Sequence, residues 1–443
     1  MKKSIVEEIV LLTSLIKWTF LAILVGVIVG LSTTFFLKAL GWSTAILQSQ
    51  PYYFLFLPVA LFLSSYLIKH LAPDAEGHGT EKVIEAVHKN WGKIKLQVVP
   101  VKLVATIITL AGGGSAGKEG PCAQIGAGMA SGIADLLKLD KTDRKKIVIC
   151  GISAGFATVF GTPIAGALFA VEVLILGKIM HEMLFPALVA AVIGFHISKF
   201  FGINYLQHPV IVSGFSRELF IKVLISGVFF GMVSLLLVES LKLAEKLARR
   251  LPFSKPARGL IGGSILVGLT FCLSPLYLGL GTDTIKRVLD GGTAPAGAFL
   301  WKILFTVITL SMGGSGGIVT PIFFIGSTSG SFFAHLFNLD PVIFASIGMA
   351  ALLAGAANTP IAASVMAIEI FGPQIGSYAA IACAISFIAA GHRSVYSSQI
   401  LGITKSASIS TSLMKDFNHL DELTIKNQSG KIFSFINKFL KKQ

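Results

Sequence analysis

Residues 112–121 read GGGSAGKEGP. Gly112 to Lys118 satisfy the opening of a phosphate-binding loop, G-x-x-x-x-G-K, in which backbone N–H groups cradle phosphate and the lysine reaches it. That loop needs a preceding strand, and a Ser or Thr after the lysine to hold magnesium. Here the preceding VKLVATIITLA is an apolar helical run, and Glu119 takes the hydroxyl's place. A carboxylate repels phosphate, so the nucleotide reading fails. The physics of the loop survives, because N–H groups exposed at a helix N-terminus attract an anion through the helix dipole. Glu119 is then an internal competitor for that anion. Its carboxylate occupies an anion position when ionised and vacates it when protonated.

The elements that carry this loop are membrane elements. The chain has 443 residues, 53% hydrophobic and 13% charged, with mean hydropathy +0.78; soluble domains carry about 25% charged residues. Runs such as WTFLAILVGVIVGLSTTFFLKAL and LFIKVLISGVFFGMVSLLLVESL reach the ~20 residues that span a bilayer as a helix. No short alternating segments of a membrane barrel are present. The sequence predicts an all-α polytopic membrane protein. An ionisable residue at membrane depth, as Glu119 would be, is a functional candidate.

The net charge of +15 does not point to nucleic acid. The basic residues gather in HKNWGKIK, KLDKTDRKK, EKLARRLPFSKPARG and the terminal KFLKKQ, between apolar runs, as in cytoplasmic loops. Both termini are expected on the cytoplasmic side of a plasma (inner) membrane. The N-terminal MKKSIVEEIVLLTSLIKW is interrupted by Glu7 and Glu8 and reads as a retained cytoplasmic helix over 1–19, not a cleaved signal. Cys122, Cys150, Cys272 and Cys383 have no metal-ligand spacing and read as small core residues. No cofactor and no metal site is expected.

The chain is duplicated. Shifted by 200 residues, KLVATIITLAGGGSAGKEGPCAQIG (102–126) lies over KILFTVITLSMGGSGGIVTPIFFIG (302–326). TPIAGALFAVEV (162–173) likewise lies over TPIAASVMAIEI (359–370), with Glu172 over Glu369. The halves, about 20–200 and 215–403, are joined through FGINYLQHPVIVSGFSRE. Duplicated transporters commonly have inverted halves whose broken helices meet at a midplane site. Four N-termini are candidates to converge there: after GHGT (77–80), GKEGP (117–121) and GGIVTP (316–321), and around GHRSVYSS (391–398).

Together these motifs resemble the CLC family of chloride channels and proton-coupled anion antiporters, in order and over about residues 15–403. GKEGP is similar to its gating-glutamate motif, GGIVTP to its G-x-F-x-P, and GHGTEKV lies where the family has G-S-G-I-P. The resemblance implies a homodimer in a lipid bilayer, each subunit with its own path for chloride or a similar small anion, and protons as a possible second cargo. It implies a gate and proton site at Glu119. Anion contacts fall on His78, the backbone of Ile318 and Val319, and the Tyr396 hydroxyl; Gly77, Gly79, Gly117, Gly120 and Thr320 shape the pore loops. After residue 403 it leaves a cytoplasmic tail (404–443) too short for the paired regulatory domains of some members, ending in a basic amphipathic helix.

Departures from the family pattern bear on mechanism. His78 replaces a Ser, Val319 replaces a Phe, and the internal proton-transfer glutamate of typical antiporters falls on Val173. Glu172 stands beside it on another helical face, and its repeat mate Glu369 favours a structural role. A chloride channel or transporter gated by Glu119 is expected. The alternative is fluoride/proton antiport, in a branch of the family that also lacks the internal glutamate; against it, Ile318 stands where that branch tends to be acidic. A hydrolase built on Ser115 or Ser315 lacks any recurring base nearby.

Overall fold

Glycine, asparagine and proline cut the apolar runs at equivalent places in the two halves. Gly161 (φ +72°) and Asn358 (φ +57°) turn the chain left-handed at two helix ends. Pro163 and Pro360 then restart it, at a position where the missing N–H leaves no helical bond unmade. The computed structural model describes residues 2–212, 216–419 and 424–425. The first half contains α1 (Lys2–Gln48), α2 (Leu57–Leu71), α3 (Thr80–Lys89), α4 (Val98–Ala111), α5 (Glu119–Leu136), α6 (Lys141–Phe160), α7 (Pro163–Glu172) and α8 (His181–Phe200). The second repeats the order with α9 (Arg217–Arg250), α10 (Lys255–Cys272), α11 (Thr282–Leu289), α12 (Ala298–Ser311), α13 (Val319–Leu336), α14 (Pro341–Ala357), α15 (Pro360–Phe371) and α16 (Gly376–Ala389).

Among the described residues four helical segments are long and apolar enough to cross a membrane: Ile5–Gln48, Tyr53–Leu71, α8 and α9. Helices α4, α7, α12, α14 and α15 are apolar but shorter, the broken elements expected of the fold. No break separates residues 2–19 from the rest of α1. Its 47 residues form one helix about 70 Å long, more than twice the ~30 Å hydrocarbon core. Its first turns, from Ile5 to Ile16, are exposed on every side. The continuity is physical: neither proline nor glycine interrupts the chain before Gly26.

The inversion is visible in two reciprocal contacts. Glu172, closing α7, accepts the N–H groups of Ile361 (3.1 Å) and Ala362 (2.8 Å) at the start of α15. Glu369, near the end of α15, accepts those of Ile164 (3.0 Å) and Ala165 (2.8 Å) at the start of α7. Each helix therefore runs antiparallel to its mate and has its N-terminal donors satisfied by the other's carboxylate. Within each half, glycines let neighbouring helices touch. A Cβ on Gly126 would stand 2.2 Å from the Gly151 carbonyl, and one on Gly326 would stand 2.4 Å from that of Gly348.

The joining segment leaves α8 and runs along the second half, where His208 and Val210 donate N–H groups to Ile370 and Phe371. The two-residue strand Ile400–Leu401, beyond α16, pairs in parallel with Ile175–Leu176, which follows α7. Cys122, Cys150 and Cys383 are buried as expected, but Cys272, at the end of α10, is exposed. The expected terminal basic helix, over residues 426–443, lies outside the described residues.

Candidate functional site

The two glycine loops stand back to back across the pseudo-twofold. Gly117 and Gly317 exchange both backbone hydrogen bonds, each 2.7 Å. The Ser115 N–H donates to Thr309 Oγ1 and the Ser315 N–H to Thr109 Oγ1, both at 3.0 Å. The Ser115 and Ser315 hydroxyls pair with those of Thr306 and Thr106, also at 3.0 Å. All six side chains are fully buried. The two serines thus hold the duplicated loops together, their hydroxyls paired with threonine.

This lock brings the N-termini of α5 and α13 together, and one carboxylate crosses between them. Glu119 is 1% exposed. Its Oε1 accepts the Val319 N–H at 2.5 Å and its Oε2 accepts the Thr320 hydroxyl at 2.7 Å. The repeat is broken at this point, since the residue equivalent to Glu119 in the second half is Val319 and returns no charge. The loops leave room only for this side chain: a Cβ on Gly117 or Gly317 would lie 2.2 or 2.3 Å from Glu119 Oε1. A carboxylate held by a helix N-terminus and a hydroxyl occupies the position that a free anion takes in such a nest.

A third terminus adjoins. The loop before α3 takes positive φ at Gly77 (+81°) and Gly79 (+80°), and it presses on α5 so closely that a Cβ on Gly120 would lie 1.9 Å from the His78 carbonyl oxygen. Lys102, fully buried, fixes the loop by donating to the carbonyls of Gly77 (2.7 Å) and Ala75 (3.1 Å). Lys302 does the same for Gly279 (2.8 Å) and Tyr277 (3.1 Å) in the other half. Tyr396, 1% exposed, is buried in the same core as Ile318 and Val319, and the hydroxyl of the next residue, Ser397, donates to Glu81 Oε1. The Tyr396 ring packs edge-on against Phe169.

Several expected positions differ. The stretch 391–398 starts no helix. Its N–H groups are already engaged, Val395 to the Ala356 carbonyl (2.9 Å) and Tyr396 to the Ser394 hydroxyl (3.0 Å), and such local serine bonding competes with helix. Three termini converge instead of four, and Tyr396 joins them by its side chain. On α13 the Glu119 carboxylate takes the Val319 N–H and the Thr320 hydroxyl, while Ile318, expected with Val319 to contact the anion, is the N-cap. The His78 imidazole, expected at the anion, lies between two carboxylates, Glu81 and Glu245. It is 3% exposed, with Nδ1 3.5 Å from Glu81 Oε2 and Nε2 3.9 Å from Glu245 Oε1. Val173 is fully buried, and its carbonyl accepts from Gln399 Nε2.

The family profile described as "Voltage gated chloride channel" matches residues 60–391. The chain belongs to this family. A "Chloride/fluoride channel protein" of Pseudomonas syringae pv. tomato is 36% identical over 90% of both chains. An "H(+)/Cl(-) exchange transporter" of Salmonella typhimurium is 27% identical, covering 79% of this chain and 80% of its own. Among solved structures, a CLC-type fluoride/proton antiporter superposes with a TM-score of 0.83 at 33% identity, over 88% of this chain and 98% of the other. This CLC protein is a membrane anion channel or transporter. Sequence reading missed Thr80, Glu81 and Lys102 as neighbours of its centre. For Lys102 a signal existed: a lysine inside an apolar run, repeated as Lys302.

Proposed function

We propose that this CLC protein exchanges a small halide, fluoride ahead of chloride, for protons, with Glu119 as both gate and proton carrier. The observation that carries the reading is the Glu119 carboxylate seated on the α13 N-terminus. While ionised there it excludes a free anion; protonation removes the charge that competes, and the anion takes the Val319 N–H and Thr320 hydroxyl. Tyr396 and Thr80 supply hydroxyls next to that place. Fluoride, the smallest halide and the strongest hydrogen-bond acceptor, suits a site of close N–H and O–H donors. The 36% identical chloride/fluoride channel protein and the 33% identical fluoride/proton antiporter support the same anion.

Glu119, Val319, Thr320, Thr80 and Tyr396 come from one chain, so each subunit of the inferred homodimer has its own path. The basic loops share one face: Lys255 bridges Glu76, Lys95 lies 3.5 Å from Asp74, and Lys141 and Lys145 stand over the Trp91 ring. By the positive-inside rule this is the cytoplasmic face, with both termini inside and the bilayer the plasma (inner) membrane.

The test is efflux from proteoliposomes, with external halide and pH recorded together. Fluoride efflux coupled to proton uptake, falling as pH rises, is expected. Glu119→Gln should retain or raise anion flux while proton coupling and pH dependence disappear. Chloride efflux with no proton movement would establish a channel and overturn the exchange reading.

A further inference from the structure

Val173 stands where typical antiporters of the family carry a proton-transfer glutamate, and the adjacent Glu172 is tied to the start of α15, yet a second set of titratable groups stands near Glu119. Glu245, on α9, is about one-third exposed on the face that carries the basic loops. His78, buried, lies between it and Glu81 of α3, and His78 Nδ1 has no hydrogen-bond partner. Glu81 Oε2 faces that nitrogen, while Oε1 accepts the Ser397 hydroxyl. Ser397 directly follows Tyr396 in the chain, and Gly79, beside Thr80, packs so closely on α5 that a Cβ on it would lie 2.3 Å from the Gly120 carbonyl oxygen, next to Glu119.

We propose that Glu245, His78 and Glu81 form a proton relay that ends on Glu119 through the Thr80 and Tyr396 hydroxyls, replacing the missing carboxylate at residue 173. This rests on Glu119 being the proton carrier. A proton from Glu245 adds to His78 Nε2, and the imidazolium gives its other proton, from Nδ1, to Glu81 Oε2. Rotation of the ring restores the first tautomer, so no net bond is made or lost. The 3.5 and 3.9 Å gaps are closed by a small side-chain rotation or one bridging water. A hydroxyl that donates one proton while accepting another then carries the charge to Glu119. The other charges acting on the relay are Lys102 of α4 on His78, Lys82 of α3 on Glu81, and Arg249 of α9 and Glu76 on Glu245. A lone proton site would not need His78 held between two carboxylates with one nitrogen free.

The experiment measures proton and fluoride fluxes together in proteoliposomes of wild type, His78→Gln, Glu81→Gln, Glu245→Gln and Glu119→Gln. Tenfold or greater loss of proton flux in His78→Gln and Glu81→Gln, with anion flux within about threefold of wild type, is expected. The partly exposed Glu245→Gln should lose less. Retained anion flux shows that a variant is folded; if His78→Gln loses both fluxes, Glu81→Gln decides by the same readout. Wild-type stoichiometry in the His78 and Glu81 variants, with Glu119→Gln uncoupled, overturns the relay alone. A wild type that moves no protons overturns the exchange reading and the relay with it.

Discussion

The second contact of Glu119 is a hydroxyl, and it can be removed without changing shape. Thr320→Val keeps the volume and the Val319 N–H but deletes the 2.7 Å bond to Glu119 Oε2. Hydrogen bonds to charged groups contribute about 1.5–3 kcal/mol, and they favour the ionised form. The variant should therefore protonate, and open, at higher pH than wild type. The flux-against-pH curve is expected to move up by about one unit or more. An unmoved curve would show that Thr320 does not hold the closed gate. Gly117→Ala tests the same seat from the other side: its methyl would lie 2.2 Å from Glu119 Oε1. The carboxylate is displaced, and flux should lose its pH dependence while Glu119 is still present.

At the scale of helices, the Glu172 and Glu369 pair replaces the capping residues that α7 and α15 lack. Neither helix has a side-chain cap of its own; each begins with a threonine whose hydroxyl is buried without a partner. Glu172→Ala leaves the Ile361 and Ala362 N–H groups unmet and creates a cavity. It should lower stability by about 1–3 kcal/mol, read as a reduced melting temperature of the purified protein in detergent. Glu369→Ala should cost a similar amount. Proton coupling that survives in Glu172→Gln is expected too, because this carboxylate is tied to a helix end. A coupled flux lost specifically in that variant would return Glu172 to the proton path.

Across the whole molecule, duplication builds two nearly equivalent loops, and single residues make them unequal. Lys102 and Lys302 occupy equivalent sites and hold equivalent carbonyls, but only Lys102 adjoins the loop that packs on α5. Lys102→Met should lower anion flux several-fold, because a buried cation near the pore draws anions. Lys302→Met should lower stability and leave flux per folded molecule nearly unchanged. Equal flux losses in both would mean that the lysines serve the scaffold alone.

The duplication, the polytopic helical class and a carboxylate seated in the glycine loops were legible in the chain itself. Repeated letters at a fixed offset, unbroken apolar runs and a carboxylate in a glycine loop are local patterns, and local patterns survive without coordinates. The structural role of Glu172 was also readable, because its mate Glu369 implied a shared task, although the exchange of caps between helices 189 residues apart was not. What only the tertiary structure decided were matters of direction and register. His78 turns toward Glu81 and Glu245, 391–398 stays irregular because Ala356 and Ser394 take its N–H groups, and Glu119 reaches the Val319 N–H and the Thr320 hydroxyl. These depend on which surfaces meet across the pseudo-twofold. Sequence motifs put helix N-termini after residues 80, 121 and 321 and the structure starts them at 80, 119 and 319, but only packing determines which donor each side chain finds there.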